Sequence, residues 1–316
     1  MHGWTPAFCV VGMVVGGALS AASRPPATGP NLLSVAQEAF YNARYEEAAA
    51  HAFESLAATP DDLSAYELRT TALLFQVKRL LGDDKKRHKN PQEPRNATPA
   101  CERCPDLIAA FLSDISAAQG LARNRLRAVP EDEMALYFLG KVNLNYVWLH
   151  LGPLGRKAGL SEYWEARRSL DGVLRRNPAH VRARVARAWV DYIVGTRMPR
   201  GTKWLVGGGN RQRALGTMRE AATANADFYT SAEARFALWE MLVREQDFDA
   251  ALDVARGLML DFPSNRDLAN FVEARGVSNG VGSKLGVYIW LDGVRSDRHG
   301  FWLPPARGSR AAQTDS

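Results

Sequence analysis

Apolar positions recur along this chain in one fixed register. Tyr45, Ala48 and Pro60 stand at a spacing that Tyr163, Ala166 and Pro178 repeat, and that Phe248, Ala251 and Pro263 repeat again. Ile115, Ala118 and Pro130 follow it with an aliphatic first member. Positions three apart lie on one face of a helix, so the ring and the alanine point the same way. The alanine lets a neighbouring helix come close, and the ring fills the remaining gap. The proline lies past the helix end. It disfavours helical geometry in the residue before it, while its fixed φ suits the first position of a new helix. Each unit therefore reads as helix, stop, next helix, and helix pairs at a period near about 34 residues form solenoids.

The same pattern predicts about eleven helices. Leu32 to Asn42 and Tyr45 to Ala58 form the first pair, and Leu63 to Leu81 follows. Asp106 caps a long helix to Arg127, Pro130 opens one running to about Leu151, and Ser161 caps one to Arg176. Ala179 to Gly195 comes next, and Asn210 caps a helix to Asn225. Thr230 to Glu233 reads as a capping box for a helix to Glu245. Asp247 caps another, and Ser264 caps a short last one ending near Arg275. Gly82 to Ala100 is polar and Pro-rich, a loop or disordered linker. After Gly276 the chain turns Gly-rich and loses its period, and the end of this tail reads as disordered.

Ala118, Ala166 and Ala214 are 48 residues apart, well above the usual unit of about 34. The extra residues, 153–160 and 198–209, fall between the two helices of a pair and should project from one edge of the solenoid. Such insertions often mark a binding face, although a longer first helix that needs a longer return gives the same spacing. The pair around Ala214 has Arg211 and Ala226 where the ring and the proline belong.

Segments 44–62 and 246–265 resemble the second half of tetratricopeptide (TPR) repeats, an aromatic residue, then alanine, then a closing proline. Residues 133–146 look like the first helix of such a repeat, with Leu139-Gly140 at its Leu-Gly pair. The resemblance covers most of residues 31–275. It implies an all-α solenoid of about five helix pairs with a capping helix, packed through Tyr45, Ala48, Ala118, Tyr163, Ala166, Ala214, Phe248 and Ala251 and punctuated by Pro60, Pro130, Pro178 and Pro263. It further implies an inner groove that binds a peptide or protein, lined by the first helix of each pair. Aligned unit by unit, the groove stripe falls on Tyr137, Lys141, Asn145, Trp189, Phe236 and Glu240. Each of these has an ordinary alternative as packing between neighbours.

Composition fits a folded chain: 46% hydrophobic and 23% charged residues. The net charge of +6 is mild and arginine-rich. Aromatic residues do not alternate with the basic ones as a stacking surface for nucleic acid requires, so no nucleic-acid partner is expected. No run of about twenty apolar residues marks a membrane span. Residues 1–22 lack Asp, Glu, Lys and Arg, Ala7 to Leu19 is apolar, and Ser20-Ala21-Ala22 offers small residues for cleavage. This reads as a secretory signal peptide, without the usual basic start. Residues 23–30 form a flexible spacer, and the expected location is periplasmic or secreted.

Candidate chemistry is sparse. Cys101 and Cys104 form a C-x-x-C whose default in an exported protein is a local disulfide. A thioredoxin-like role would need a preceding strand, and zinc would need four ligands. Gly207 to Gly209 precede a helix start that could hold an anion, but no G-K-[ST] follows and a hinge is the simpler reading. The six histidines have no partner ligands or nucleophiles at recognisable spacing. No metal, cofactor or catalytic residue is expected. The reading is a non-enzymatic binding scaffold of the cell envelope. Its alternative is an accessory subunit of an envelope transport or assembly complex, binding through its outer surface and inserts. Between them stands the question of whether the groove is open or filled by the tail, in which residues 287–294 are apolar.

Overall fold

A computed structural model describes residues 31–81, 101–198, 201 and 203–276. The expected signal peptide, spacer, linker 82–100 and tail from 277 onward lie outside these residues. The helices described below all belong to the compact unit that begins at Leu32.

Eleven α-helices are present among the described residues, and no strand. They are α1 (Leu32–Tyr41), α2 (Tyr45–Ala58), α3 (Leu63–Leu81), α4 (Cys104–Ala128), α5 (Glu133–Leu151), α6 (Leu160–Arg176), α7 (Val181–Arg197), α8 (Arg211–Ala222), α9 (Phe228–Glu245), α10 (Phe248–Asp261) and α11 (Arg266–Gly276). A single 3-10 turn, Lys203–Val206, interrupts the connection from α7 to α8. Successive helices pack on each other throughout, and α1 also touches α3, α3 touches α5, and α7 touches α9. The fold is an all-α solenoid of five TPR-like helix pairs with α11 as the capping helix.

The alanines sit at the helix contacts. Ala48, Ala118, Ala166 and Ala251 are fully buried, and Ala214 nearly so. The tightest approach is at Gly140 on α5. A Cβ there would come 2.8 Å from Leu170 Cγ of α6, too close without displacing that side chain. The prolines, by contrast, are exposed at every repeat end and act through the backbone. Each stands one residue later than a helix-closing residue whose N–H bonds the last turn, and that same residue's carbonyl receives the N–H three positions on. Thr59 and Asp62, Val129 and Asp132, Asn177 and His180, and Phe262 and Asn265 repeat this pair of bonds. Proline therefore occupies the second position of a tight turn, where its φ is already set, and not the first position of the next helix.

The last residue of each turn then caps the following helix. Asp62 accepts from Ser64 N–H, Asp132 from Ala135 N–H, His180 Nδ1 from Ala183 N–H and Asn265 from Leu268 N–H. The last of these corrects Ser264 as the expected cap. Ser161 is also not a cap: α6 starts at Leu160 behind Gly159, whose φ of 94° suits only glycine. Asn210 caps α8 as its position suggests. Asp247 precedes α10 without a side-chain capping bond. Helix α4 begins at Cys104, ahead of Asp106, with Cys104 joined to Cys101 in a disulfide (Cα–Cα 5.4 Å).

The longest connections among the described helices (82–103, 152–159 and 198–210) all run from the first to the second helix of a pair. The C-terminal ends of α5 and α7, the start of α6 and Val206 of the last connection line one small void of about 20 Å³. The two inserts thus share an edge.

Helix α7 carries two apolar faces. Ala183, Ala186, Val190 and Val194 join the core built by α1–α6, while Val185, Ala188 and Tyr192 join the core built by α8–α11. Replacing Ala166 with Phe should overpack the α5–α6 contact and cost roughly 1–3 kcal/mol. Chemical denaturation checks this, and a change within error would remove the contact from the account.

Candidate functional site

The odd-numbered helices line the inner face, and at its centre lie four charged side chains from four of them. Lys141 of α5 reaches Glu233 of α9 at 2.7 Å and Glu67 of α3 at 3.4 Å. Arg182 of α7 reaches the same two carboxylates at 2.6 and 3.2 Å. Two cations and two anions alternate around a square, and each touches both opposite charges. Glu67 and Glu233 have side chains only 7% and 14% exposed. Charges this buried persist only when paired. Each helix has thereby supplied a charge that one of the others must answer.

The electrostatics follow from this packing. Burial works against the charge on Glu233, but Arg182 and Lys141 outweigh it and hold its carboxyl down at about 2. Burial likewise opposes the charges on Lys141 and Arg182, and the two glutamates overcome it, so both cations titrate above their ordinary range. Behind the square, Asn145 donates to Thr70 Oγ1 (3.0 Å) and Thr71 Oγ1 (2.9 Å), and Thr71 Oγ1 lies 3.2 Å from Glu67 Oε1. Tyr137 lies beneath Arg182, whose guanidinium carbon is 5.0 Å from the ring centre. The ring is almost wholly buried, and no hydrogen bond to its hydroxyl is found among the described residues. His180 packs against the same ring, and burial lowers its pKa. A neutral imidazole fits the acceptor role of its Nδ1 at the α7 cap.

Beside the square lies a cavity of about 190 Å³. Its walls are aromatic: Tyr41, Phe75, Trp189, Phe236 and Trp239. Glu67, Lys141, Arg182 and Glu233 face it, and Glu240 and Asp267 line it as well. Glu240 is paired with Arg244, whose guanidinium also covers Trp189 (5.4 Å), and Asp267 is paired with Arg79 at 2.9 Å. Every charge that lines the cavity is therefore already met by an opposite one.

One side of the cavity is closed by the first helix pair meeting the last. Tyr41 of α1 stacks on Phe236 (5.4 Å) and Tyr229 (5.9 Å) of α9, and packs on Phe262 (5.3 Å). Its hydroxyl donates to the Tyr229 carbonyl, and the Tyr229 hydroxyl donates to the Ser34 carbonyl. Asn265 donates to the Tyr41 carbonyl at 2.7 Å, and Asn42 accepts from Ser264 N–H at 3.1 Å. The repeat pattern implies a groove that is either open or occupied by the tail. Here the first and last units narrow it to a cavity.

Of the six expected groove residues, Lys141, Trp189, Phe236 and Glu240 line the cavity. Tyr137 and Asn145 do not: they are buried in the layer beneath the square. Sequence reasoning missed Glu67, Arg182 and Tyr41. Glu67 and Arg182 stand on the first helix of their pairs, each flanked directly by apolar residues, but Arg69 and Arg184 two positions on look much the same in the sequence, so no local signal singles them out. The spacing from Thr230 to Glu233 suggests a capping box. The cap is in fact Asp227, which accepts from Thr230 N–H, leaving Glu233 to turn inward.

Among the described residues no group of three His, Cys, Asp or Glu side chains could hold a metal, and no helix is long and apolar enough to cross a membrane. No family model matches the chain, and no curated protein does. Among solved structures, a thermophilic TPR protein of Thermus thermophilus is similar over 78% of this chain and 97% of its own, at 16% identity and a TM-score of 0.43. The description of these helix pairs as TPR-like rests on their own alanine contacts and proline turns.

The ion square makes a pH prediction. Glu233 titrates lower in the folded chain than its ordinary 4.5. Its contribution is thus complete above pH 4.5 and is lost as the pH falls toward about 2. Glu233→Gln should flatten the acid limb of the stability curve between those values. Glu233→Ala, which leaves two buried cations facing one anion, should cost roughly 3–5 kcal/mol at neutral pH. Urea denaturation at several pH values reads both, and parallel acid limbs in the wild type and Gln variant would refute the assignment.

Proposed function

We propose that this chain is a non-enzymatic scaffold that holds a protein partner by one apolar anchor side chain seated in the inner cavity. A TPR-like fold is generally a protein-binding scaffold. The observation that carries the narrower reading is an aromatic-walled cavity whose charges are all internally paired. A free carboxylate or ammonium entering it would have to break an existing pair. An aromatic or branched apolar side chain would gain burial at no such cost. The size agrees: a cavity of about 150 Å³ lined by apolar side chains accepts a benzene ring, and this one is about 190 Å³. A long stretch of extended peptide does not fit such a space, but a single deeply buried anchor does, and such anchors dominate many interfaces.

The setting we propose is the cell envelope, on the basis of the apolar N-terminal segment and the Cys101–Cys104 disulfide, which an oxidising compartment would preserve. Mass spectrometry of the exported protein isolated without reductant should find both cysteines oxidised. Free thiols would withdraw that support.

The binding reading is tested by selecting peptides from a random library on the chain from Ser23 onward. Enriched sequences should share one aromatic or large aliphatic position. Ala237, which lines the cavity and is nearly buried, is the place to block it. Ala237→Phe should weaken a selected peptide by at least about tenfold, the size of effect expected when an anchor is lost, while the circular dichroism spectrum is unchanged. Equal affinity for the variant would rule out the cavity as the site.

A further inference from the structure

We infer that the insert-bearing edge of the solenoid docks on an anionic lipid surface, with Trp204 and Leu205 entering the headgroup layer. The observations concern the two connections 152–159 and 198–210 and their flanks, away from the inner cavity.

The second insert is built to hold these two side chains outward. Val206 is buried, and its carbonyl accepts from the Tyr163 hydroxyl at 2.8 Å and from Arg167 at 3.2 Å. Arg167 also donates to the carbonyls of Gly207 (2.5 Å) and Gly208 (3.3 Å). Gly207 has a φ of +78°, and a Cβ there would lie 2.8 Å from Arg167 Cζ, so the position demands glycine. Lys203 donates to the Gly195 carbonyl at 2.7 Å, fixing the start of the turn to the end of α7. On this base the 3-10 turn faces Trp204 and Leu205 to solvent, 73% and 40% exposed. Leu160, at the end of the other insert, is 42% exposed.

Unpaired bases accompany these exposed side chains. Among the described residues the two inserts hold Arg156, Lys157 and Lys203 and no acidic residue. Arg156 and Lys157 are exposed, and no carboxylate pairs with either among the described residues. Arg213, exposed in the first turn of α8, is in the same state. At the edge of the proline turns some bases are answered, Arg176 by Glu131, Arg125 by Asp61 and Arg235 by Asp261, while Arg127 and Arg175 pair with no carboxylate among the described residues; that edge carries no exposed indole. Unanswered cations on the edge that carries an exposed indole suit anionic headgroups. Tryptophan belongs at the membrane–water boundary, and long basic side chains lay their stems on apolar surface while their charges reach phosphates. A nucleic acid would want several stacking rings among the bases, and this edge presents one.

The test is co-sedimentation of the chain from Ser23 onward, which removes the apolar N-terminal segment that could itself partition into lipid. Vesicles of phosphatidylcholine with about 30% phosphatidylglycerol are compared with pure phosphatidylcholine. We expect binding to the anionic vesicles only, weakened by salt. Arg156→Glu with Lys157→Glu, and separately Trp204→Ser with Leu205→Ser, should each reduce it by about tenfold or more. The difference in fluorescence between the wild type and Trp204→Phe should shift to the blue on anionic vesicles. Equal binding to both vesicle types, unchanged binding by both variants, or retention on a DNA duplex but not on vesicles would overturn the inference. Each variant's unchanged circular dichroism shows that the fold is intact.

Discussion

Four helices from four different repeats each present a buried charge at the same place, and none of those charges can stay there alone. This is the constraint around which the inner face is arranged. Lys141 and Arg182 cannot be neutral at ordinary pH, and Glu67 and Glu233 are too deep to be hydrated. The four must meet, and meeting fixes the distance between α3 and α9, which are far apart in sequence. Once those helices are held that close, the first pair reaches the last. Tyr41 finds Phe236 and Phe262, and Asn42 and Asn265 exchange bonds with the facing backbone. The aromatic cavity is what remains between the square and this closure. Buried ion clusters of this kind add little net stability relative to apolar packing. Their effect here is to specify one arrangement of the inner helices.

The rest of the solenoid is held by simpler means. Alanine at each helix contact permits close approach, and in four of the five pairs an aromatic or aliphatic neighbour fills the gap beside it, the pair around Ala214 having Arg211 there. Proline sets the φ of the second residue of a tight turn, and the residue two positions later caps the next helix. These are local devices, repeated, and they need no long-range partner to work. They give pairs of helices with defined ends, and stacking buries their remaining apolar surface. The two longer connections depart from this economy, and the second is fastened to α6 and α7 by Arg167, Tyr163 and Lys203.

Part of the cavity lining is legible in the residue string. Lys141, Trp189, Phe236 and Glu240 follow from placing the groove stripe on the first helix of each pair. Tyr137 and Asn145 occupy the same stripe and yet are covered. Arg182 lies over the Tyr137 ring, and Asn145 bonds Thr70 and Thr71 of α3. Periodicity carries no measure of which remote residues will cover a stripe. Glu233 shows the same limit at a smaller scale. Its spacing from Thr230 satisfies the capping-box pattern, but Asp227 caps α9 and the glutamate pairs with two cations that lie distant in sequence. A local pattern is read correctly only when no stronger remote partner competes for the residue.

The helices, their order, the alanine contacts and the proline turns are legible in the residue string, because each depends on residues within about a dozen positions of one another. The shared edge of the two inserts is legible too, since both lie between the first and second helices of their pairs. Three outcomes became visible only in the folded chain: the groove narrows to a cavity, particular charges answer one another, and Trp204 faces outward while Val206 faces in. These depend on pairings between residues tens to hundreds of positions apart. A repeating pattern constrains neighbours without fixing where the far ends of the chain will meet.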